Sequence, residues 1–330
     1  MRPLVFLFPD ARSDVGGNLA QMRFMRACTA VTRVHQAYYR ARIAGQDHLG
    51  DWEAGRIPTD EEPIFVVHWG PDVAELVDRL QDRDVVYVAH SSGWGMKLPP
   101  RVPILCVSRH TLGYWGRLAP NSYLGLLPNI VAHPGPEPRG ERDIDVLVQA
   151  RKSSRYLMDD LVPALQGRCR LTVLDGWVDD LGAYLRRSKV YLYDSVEHWI
   201  AVGATEGFGL PPLEAMAQGC VVFSSINDAL ADYLDPGFNC RKIRVHSPDY
   251  DVAAILRAVA GDAPPVPGEE AFAPYSRAAV ERRLQVLLAD ITHFFAATAG
   301  QGSSIGDLWA HRPASALQRI RRAAKVLALG

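Results

Sequence analysis

A chain of 330 residues can bury a large core, and its length suggests about two domains. With 48% hydrophobic and 22% charged residues it is globular in composition, which excludes a disordered chain. A formal net charge of −1 gives no global reason to expect nucleic acid or an acidic partner. The scattered cysteines (Cys28, Cys106, Cys169, Cys220, Cys240) are odd in number and show no C-x-x-C spacing. They fit neither a zinc site nor a disulfide framework, so a reducing cytoplasm is the simpler expectation.

The first apolar run, PLVFLFP at residues 3–9, lacks a basic leader and ends in proline and aspartate. It reads as a buried strand rather than a secretory signal. No apolar run approaches the roughly 20 residues that a membrane span requires. Gly16, Gly17 and Asn18 follow, and then a helix is expected over residues 19–42. PIFVVHWG leads into PDVAELVDRLQ, a helix opened by Pro71 and Asp72, and DVVYVAHSSG, VPILCVSRHT and SYLGLLPNIV supply further buried runs. Apolar strands alternating with helices imply a parallel sheet covered on both faces.

Composition then changes. AHPGPEPRGERD, residues 132–143, has prolines and glycines among charges and no apolar periodicity, which marks an interdomain linker placed at 136–142. The rhythm restarts with IDVLVQA, CRLTVLDG, VYLYDS and VVFSS, each followed by helical periodicity. The expected architecture is α/β: two doubly wound parallel-sheet domains, 1–135 and 143–296, facing a cleft, with a basic amphipathic tail at 297–330. Ligands in such sheets bind beyond the C-terminal strand ends. Asp10, His68, His90, Ser108, Arg151, Asp175 and Asp194 end the strands and are expected to line that cleft.

The densest local pattern is TEGFGLPPLEAMAQGCVVFSS, residues 205–225. Pro211 and Pro212 suit the start of a helix and Gly219 its end, so Glu206 falls in the preceding loop and Glu214 on the first turn. Gly207 and Gly209 let backbone amides approach a ligand, and a helix N-terminus behind them favours a diphosphate. Carboxylates repel phosphate but accept hydrogen bonds from vicinal sugar hydroxyls. Amides flanked by two carboxylates therefore suit a nucleotide-diphosphate-sugar. A bare E-G-x-G also fits a turn whose glycines only shape the chain, and on the short motif alone that reading stays open.

The longer string E-G-F-G-L-P-P-L-E-A-M-A-Q-G resembles the signature of glycosyltransferase family 4, the group 1 glycosyltransferases, with its glutamate pair as Glu206 and Glu214. VLVQARKSSRYLMDDLVPAL resembles the strand ending in arginine that opens the family's second domain. GGN and VVYVAHSSG resemble its first-domain glycine loop and histidine-ended strand, and YSRAAVERRLQVLLADI its closing helix. The resemblance covers most of residues 1–295. It implies the GT-B fold and a retaining transfer with a nucleotide-diphosphate-sugar as co-substrate, without an obligatory metal or other cofactor. The catalytic residues it implies are Glu206, on a donor-sugar hydroxyl, Arg151, on the departing diphosphate, and His90, which orients the transferred sugar. His90 also reads as a hydrogen-bonded strand-end histidine. Implied donor contacts are Arg151 with Lys152 or Arg155 as second cation, Gly207, Phe208, Gly209, Leu210, Glu214 at the ribose, and Gly16 and Gly17. Asn18, Ser91 and Ser92 fall on the acceptor side, and the implied acceptor is a glycan or lipid-linked hydroxyl in cell-surface polysaccharide or glycoconjugate synthesis.

Several positions depart from the family pattern. The lysine-glycine after the arginine is missing, VEHWIAVGAT lengthens the link before Glu206, INDALADYL replaces a glycine pair, and a proline-asparagine-glycine reads Pro128-Asn129-Ile130. These read as tuning of donor and acceptor choice. His198 and Trp199 in the long link either stack on a sugar or simply pack. A nucleotide-sugar-binding module without turnover, or a phosphorylase or epimerase of the same fold, would keep the elbow. An NAD-dependent oxidoreductase is disfavoured, because PDARSDVGGNLAQ lacks G-x-G-x-x-G. Arg23, Arg26, Arg33, Arg40 and Arg42 precede any acid until Asp47, and a basic helix is expected over 313–329. Such helices either adhere to anionic lipid at the inner membrane face or form solvated charged faces.

Overall fold

The computed structural model describes residues 1–11, 16–68, 70–131, 140–306 and 308. In chain order the first half runs β1 (Leu4–Phe8), α1 (Gly16–Cys28), β2 (Val34–Tyr38), β3 (Asp47–His48), α2 (Leu49–Glu53), β4 (Ile64–His68), α3 (Val73–Arg79), β5 (Val85–Ala89), β6 (Ile104–Cys106), α4 (Arg109–Leu118) and β7 (Leu124–Leu126). The second half begins with β8 (Ile144–Gln149) and a wide π-type turn (Tyr156–Leu161) that runs into α5 (Val162–Leu165). There follow β9 (Leu171–Leu174), α6 (Leu181–Arg187), β10 (Ser188–Tyr193), α7 (Val196–Val202), α8 (Leu210–Ala217), β11 (Val221–Ser224), β12 (Arg241–Lys242), α9 (Pro248–Val259) and α10 (Arg277–Thr298).

The strands form two sheets, parallel throughout: β3-β2-β1-β4-β5-β6-β7 and β12-β11-β10-β8-β9. The continuous apolar sequence of β1, β4 and β5 follows from burial on both faces. In β1, Leu4, Phe6 and Phe8 join one core while Val5 and Leu7 join the other, as the two-residue period of a strand dictates. Strand order reverses at β1/β4 and at β8/β10, and the crevices at those points lie beside His68, His90 and Arg151. The α/β architecture of two doubly wound parallel sheets is as expected.

The helix expected over residues 19–42 is shorter. It stops at Cys28, where Val31 and Thr32 amides turn back onto the Cys28 carbonyl, and the chain continues as β2. Thr29, Val31, Thr32 and Val34 are β-branched and pack better on a pleated surface than in a helix. Arg33, Arg40 and Arg42 therefore share no helical face with Arg23, and they pair with Asp60, Asp72 and Asp51 respectively. The basic stripe proposed for lipid contact thus does not exist on α1. The second basic helix, expected over 313–329, lies outside the described residues, as does most of the expected linker. Among the described residues no helix is long and apolar enough to cross a membrane.

The closing helix α10, capped by the Ser276 hydroxyl on the Ala279 amide, crosses back to the first sheet and packs on α1. Leu287 lies over Gly125 of β7, where a Cβ would come within 2.7 Å of it. Arg2 places its guanidinium over the Phe295 ring. The end of the chain thus braces the half with which it began.

Candidate active site

The glycine–proline elbow links α7 to α8 and is shaped by one left-handed helix end and two close approaches. Gly203 ends α7 in the left-handed region at φ 70, and Gly209 caps α8 at φ 75, where a Cβ would meet Leu230 at 2.3 Å. Between them, Gly207 lies against the end of β5, where a Cβ would fall 1.8 Å from the His90 carbonyl oxygen. Helix α8 starts at Leu210 with Pro211 in its first turn, and Gly219 turns the chain out at φ 80. Because the helix begins before the prolines, Glu214 is its fifth residue, on the second turn rather than the first.

The elbow also stitches the two halves together. The Thr205 amide donates to the Ser92 carbonyl at 2.9 Å, and the two hydroxyls lie 2.6 Å apart. Gly93 approaches Ala204 so closely that a Cβ would lie 2.9 Å from its Cα. Ser92, expected on the acceptor side, is fully buried with its hydroxyl in this seam.

Beside the seam opens a cavity of about 460 Å³, lined from the first half by Arg23, His90 and Ser91 and from the second by Arg151, Lys152, Trp199, Glu206 and Glu214. Phe208, Gly209 and Leu210 present the first turn of α8 to it, and the 176–182 segment before and within α6 forms its outer wall. A cavity of this size fits the range expected for a small-molecule site. Of the strand-ending polar residues, His90 and Arg151 reach it. Ser108 instead caps α4, accepting from the Thr111 amide, and Asp194 is buried behind β10 against Ser154.

Glu206 is buried, and a single oxygen, Oε2, accepts from both the Tyr193 hydroxyl at 2.6 Å and the Trp199 indole at 2.7 Å. Its amide donates to Asp228 at 3.0 Å, and its carbonyl accepts from Ala229. The side chain is thus held at one oxygen, leaving Oε1 for a hydroxyl donor. Burial, reinforced by the Glu206 charge, pushes the Tyr193 hydroxyl well above its usual range, so it stays a proton donor. Glu214 is held similarly: Oε1 accepts from Arg23 of α1 at 2.8 Å.

Two cations, Arg151 and Lys152, face the same cavity. Lys152 sits at φ 65 with its ammonium 4.4 Å from the Trp199 ring centre, in cation–π contact. Burial and then the Arg151 charge lower its pKa, while Glu206 opposes the shift. Arg155 is not brought in. It is exposed and paired with Glu197 at 2.8 Å, so of the two sequence candidates Lys152 is the second cation at the site.

His90 Nε2 lies 2.7 Å from Gln21 Oε1, which makes Nε2 the protonated nitrogen and leaves Nδ1 an acceptor without a partner among the described residues. Burial pushes its pKa down to about 4, so the ring is neutral near pH 7. His68 behind it is depressed further, by burial and then by His90, and packs edge-on between His90 and Phe8. Ser91 lines the cavity and accepts from the Trp94 indole. Gly16 and Gly17 open α1, and the side chain of Asn18 lies outside what is described.

Tyr193, Trp199 and Arg23 were not among the site residues expected from sequence. Trp199 carried a signal, the lengthened link that now forms α7, although packing and sugar stacking both fitted it. Tyr193 reads only as the last residue of a buried strand. Arg23 reaches Glu214 across 191 positions, and no local pattern encodes such a contact.

Residues 109–261 match the family model described as glycosyl transferases group 1. No curated protein matches the chain. Among solved structures, Anabaena HepE in complex with UDP and glucose superposes with a TM-score of 0.62 at 12% identity, covering 88% of this chain and 100% of that one. Sucrose-phosphate synthase from Thermosynechococcus elongatus gives 0.59 at 14% identity, over 91% and 100% of the two chains. A glycosyltransferase from Rickettsia africae gives 0.56 at 8% identity, over 91% and 99%. At these identities the structures share the fold, that of GT-B glycosyltransferases.

Proposed function

We propose that this chain, whose residues 109–261 match the group 1 glycosyltransferase model, is a retaining enzyme moving a sugar from a nucleotide-diphosphate-sugar to a hydroxyl of a glycan or lipid-linked acceptor. The observation that carries this reading is the convergence, in one cavity, of two one-oxygen-clamped glutamates, two cations and a helix N-terminus. UDP and glucose in the HepE structure add support for a nucleotide-sugar donor.

Each group has one task. The α8 amides and the cations Arg151 and Lys152 take the diphosphate, and the cations stabilise the charge that develops on it as the glycosidic bond breaks. Glu206 accepts from a donor-sugar hydroxyl at Oε1 while Tyr193 and Trp199 hold Oε2 in place. Glu214 accepts from the ribose. Neutral His90, on the cavity wall, orients the transferred sugar. The acceptor hydroxyl enters from the first half on the face from which the diphosphate departs and passes its proton to the leaving phosphate, so configuration is retained. Charge neutralisation by two protein cations is consistent with transfer that needs no metal.

Purified protein offered UDP-, GDP-, ADP- and dTDP-sugars tests the proposal, with and without a chelator. Turnover of one donor class that persists in the chelator is expected. Saturable binding without turnover in any arm would instead leave a nucleotide-sugar-binding module, and absence of binding would end the donor assignment.

A further inference from the structure

We propose that Arg23, on α1 of the first half, is a positioning residue that fixes Glu214 for the nucleotide ribose and makes donor affinity depend on contact between the two halves. The inference rests on the donor reading of Glu214 given above. Arg23 Nη1 donates to Glu214 Oε1 at 2.8 Å, with side-chain exposures of 39% and 20%. Among the described residues Glu214 accepts no other side-chain hydrogen bond, so its orientation depends on this one. Both residues line the cavity.

An ionised carboxylate accepts at both oxygens. With Oε1 taken by Arg23, Oε2 is the acceptor left for a ribose hydroxyl, so the pair orients the carboxylate and does not compete with the ligand. A half-exposed ion pair adds little to stability by itself. Its worth is preorganisation: without Arg23, Glu214 is a long side chain free to change rotamer, and the ligand must immobilise it. Glu206 has the same design, with Tyr193 and Trp199 from its own half in place of an arginine from the other. The difference between them is functional. The Glu206 clamp is always present, whereas the Glu214 clamp exists only while α1 faces α8.

Calorimetric titration of the full chain with ribonucleoside diphosphates of the four bases identifies the one that binds. That ligand is then compared with its 2′,3′-dideoxy form. The native protein should prefer the ribose form. Arg23→Ala should weaken binding of the ribose form by about two- to twelvefold, the factor for immobilising one rotamer-rich side chain, and leave the dideoxy form within about twofold. Arg23→Lys should recover part of the preference, and Arg23→Ala should weaken Glu214→Ala no further. Equal weakening of both ligand forms by Arg23→Ala would make Arg23 a phosphate contact and overturn the proposal, as would unchanged ribose-form binding. Equal affinity of the native protein for both forms would instead remove the ribose from Glu214 altogether, a failure of the underlying reading.

Discussion

Replacing Gly207 by alanine adds one methyl group where the elbow lies against the end of β5. The new Cβ would lie 1.8 Å from the His90 carbonyl oxygen, 2.5 Å from its carbon and 2.7 Å from Ser91 Cα. All three are backbone atoms, so no rotamer change relieves the clash. Gly207 itself lies outside the left-handed region, which leaves the contact as the whole effect. Relief to 3.0 Å requires the elbow and the β5 end to part by more than an ångström, which breaks the 2.9 Å Thr205–Ser92 amide bond and its 2.6 Å hydroxyl partner. Overpacking of about 1–3 kcal/mol plus about 0.5–1.5 kcal/mol for each lost hydrogen bond gives a destabilisation of about 2–6 kcal/mol. At about 2–4 °C per kcal/mol, melting should fall by about 4–24 °C, and nucleotide affinity should fall with it as the cleft widens. The matched control is Gly113→Ala within α4, where nothing lies within 4 Å of a new Cβ. It should stabilise by about 0.5–1 kcal/mol through helix propensity. Circular-dichroism melts of both variants, with nucleotide titrations, check the pair. A Gly207→Ala protein that melts within about 1 °C of the parent and binds nucleotide equally would refute the seam as described.

Trp199→Phe keeps the aromatic face under Lys152 but removes one of the two donors to Glu206 Oε2. Loss of a hydrogen bond to a charged group, about 1.5–3 kcal/mol, should lower kcat/KM for the donor by about ten- to 150-fold, and steady-state kinetics within twofold of the parent would sink it. Lys152→Ala should cost about 100-fold or more in kcat, the range for removing one donor that stabilises transition-state charge. Arg155→Ala, breaking only its surface pair with Glu197, should leave kcat within about twofold, and the reverse order would reassign the second cation. His90 is held down to about 4 in the folded chain against about 6.5 unfolded, so the unfolded state takes up the proton first. Stability should be full above about pH 6.5 and decline by about 3 kcal/mol as pH falls toward 4. His90→Gln should flatten part of that slope in urea melts while the like contribution of His68 persists, and an unchanged slope would show that His90 is not buried neutral.

The parallel sheets were legible because β1, β4 and β5 are buried and read as apolar runs, as do Val146–Val148 of β8 and Val190–Tyr193 of β10. β2 was not. Its sequence VHQAY is half-polar and only partly buried, so it merged with the helical pattern before it. The elbow could be read locally because its glycines, prolines and glutamates act within one turn of chain. Even there, the start of α8 shifted Glu214 by a turn, since proline is accommodated anywhere in the first turn. Arg155 looked as good a second cation as Lys152 until the fold turned one toward Glu197 and the other toward Trp199. Ser92 beside Ser91 in a strand-end loop shows the same limit: alternate residues there point to opposite sides, one to the cavity and one to the seam. What escaped the sequence was pairing at long range, Trp199 excepted, and most of all Arg23 with Glu214.

Retaining transfer from a nucleotide-diphosphate-sugar bound between Arg151, Lys152, Glu206 and Glu214 is the reaction proposed for this site. A proton NMR time course of the anomeric signal, run with the donor that the native protein turns over, tests it most directly. The first product formed should have the anomeric configuration of the donor, and Glu206→Ala and Arg151→Ala, folded by circular dichroism, should form none. A product of inverted configuration, or native turnover in both variants, would contradict it.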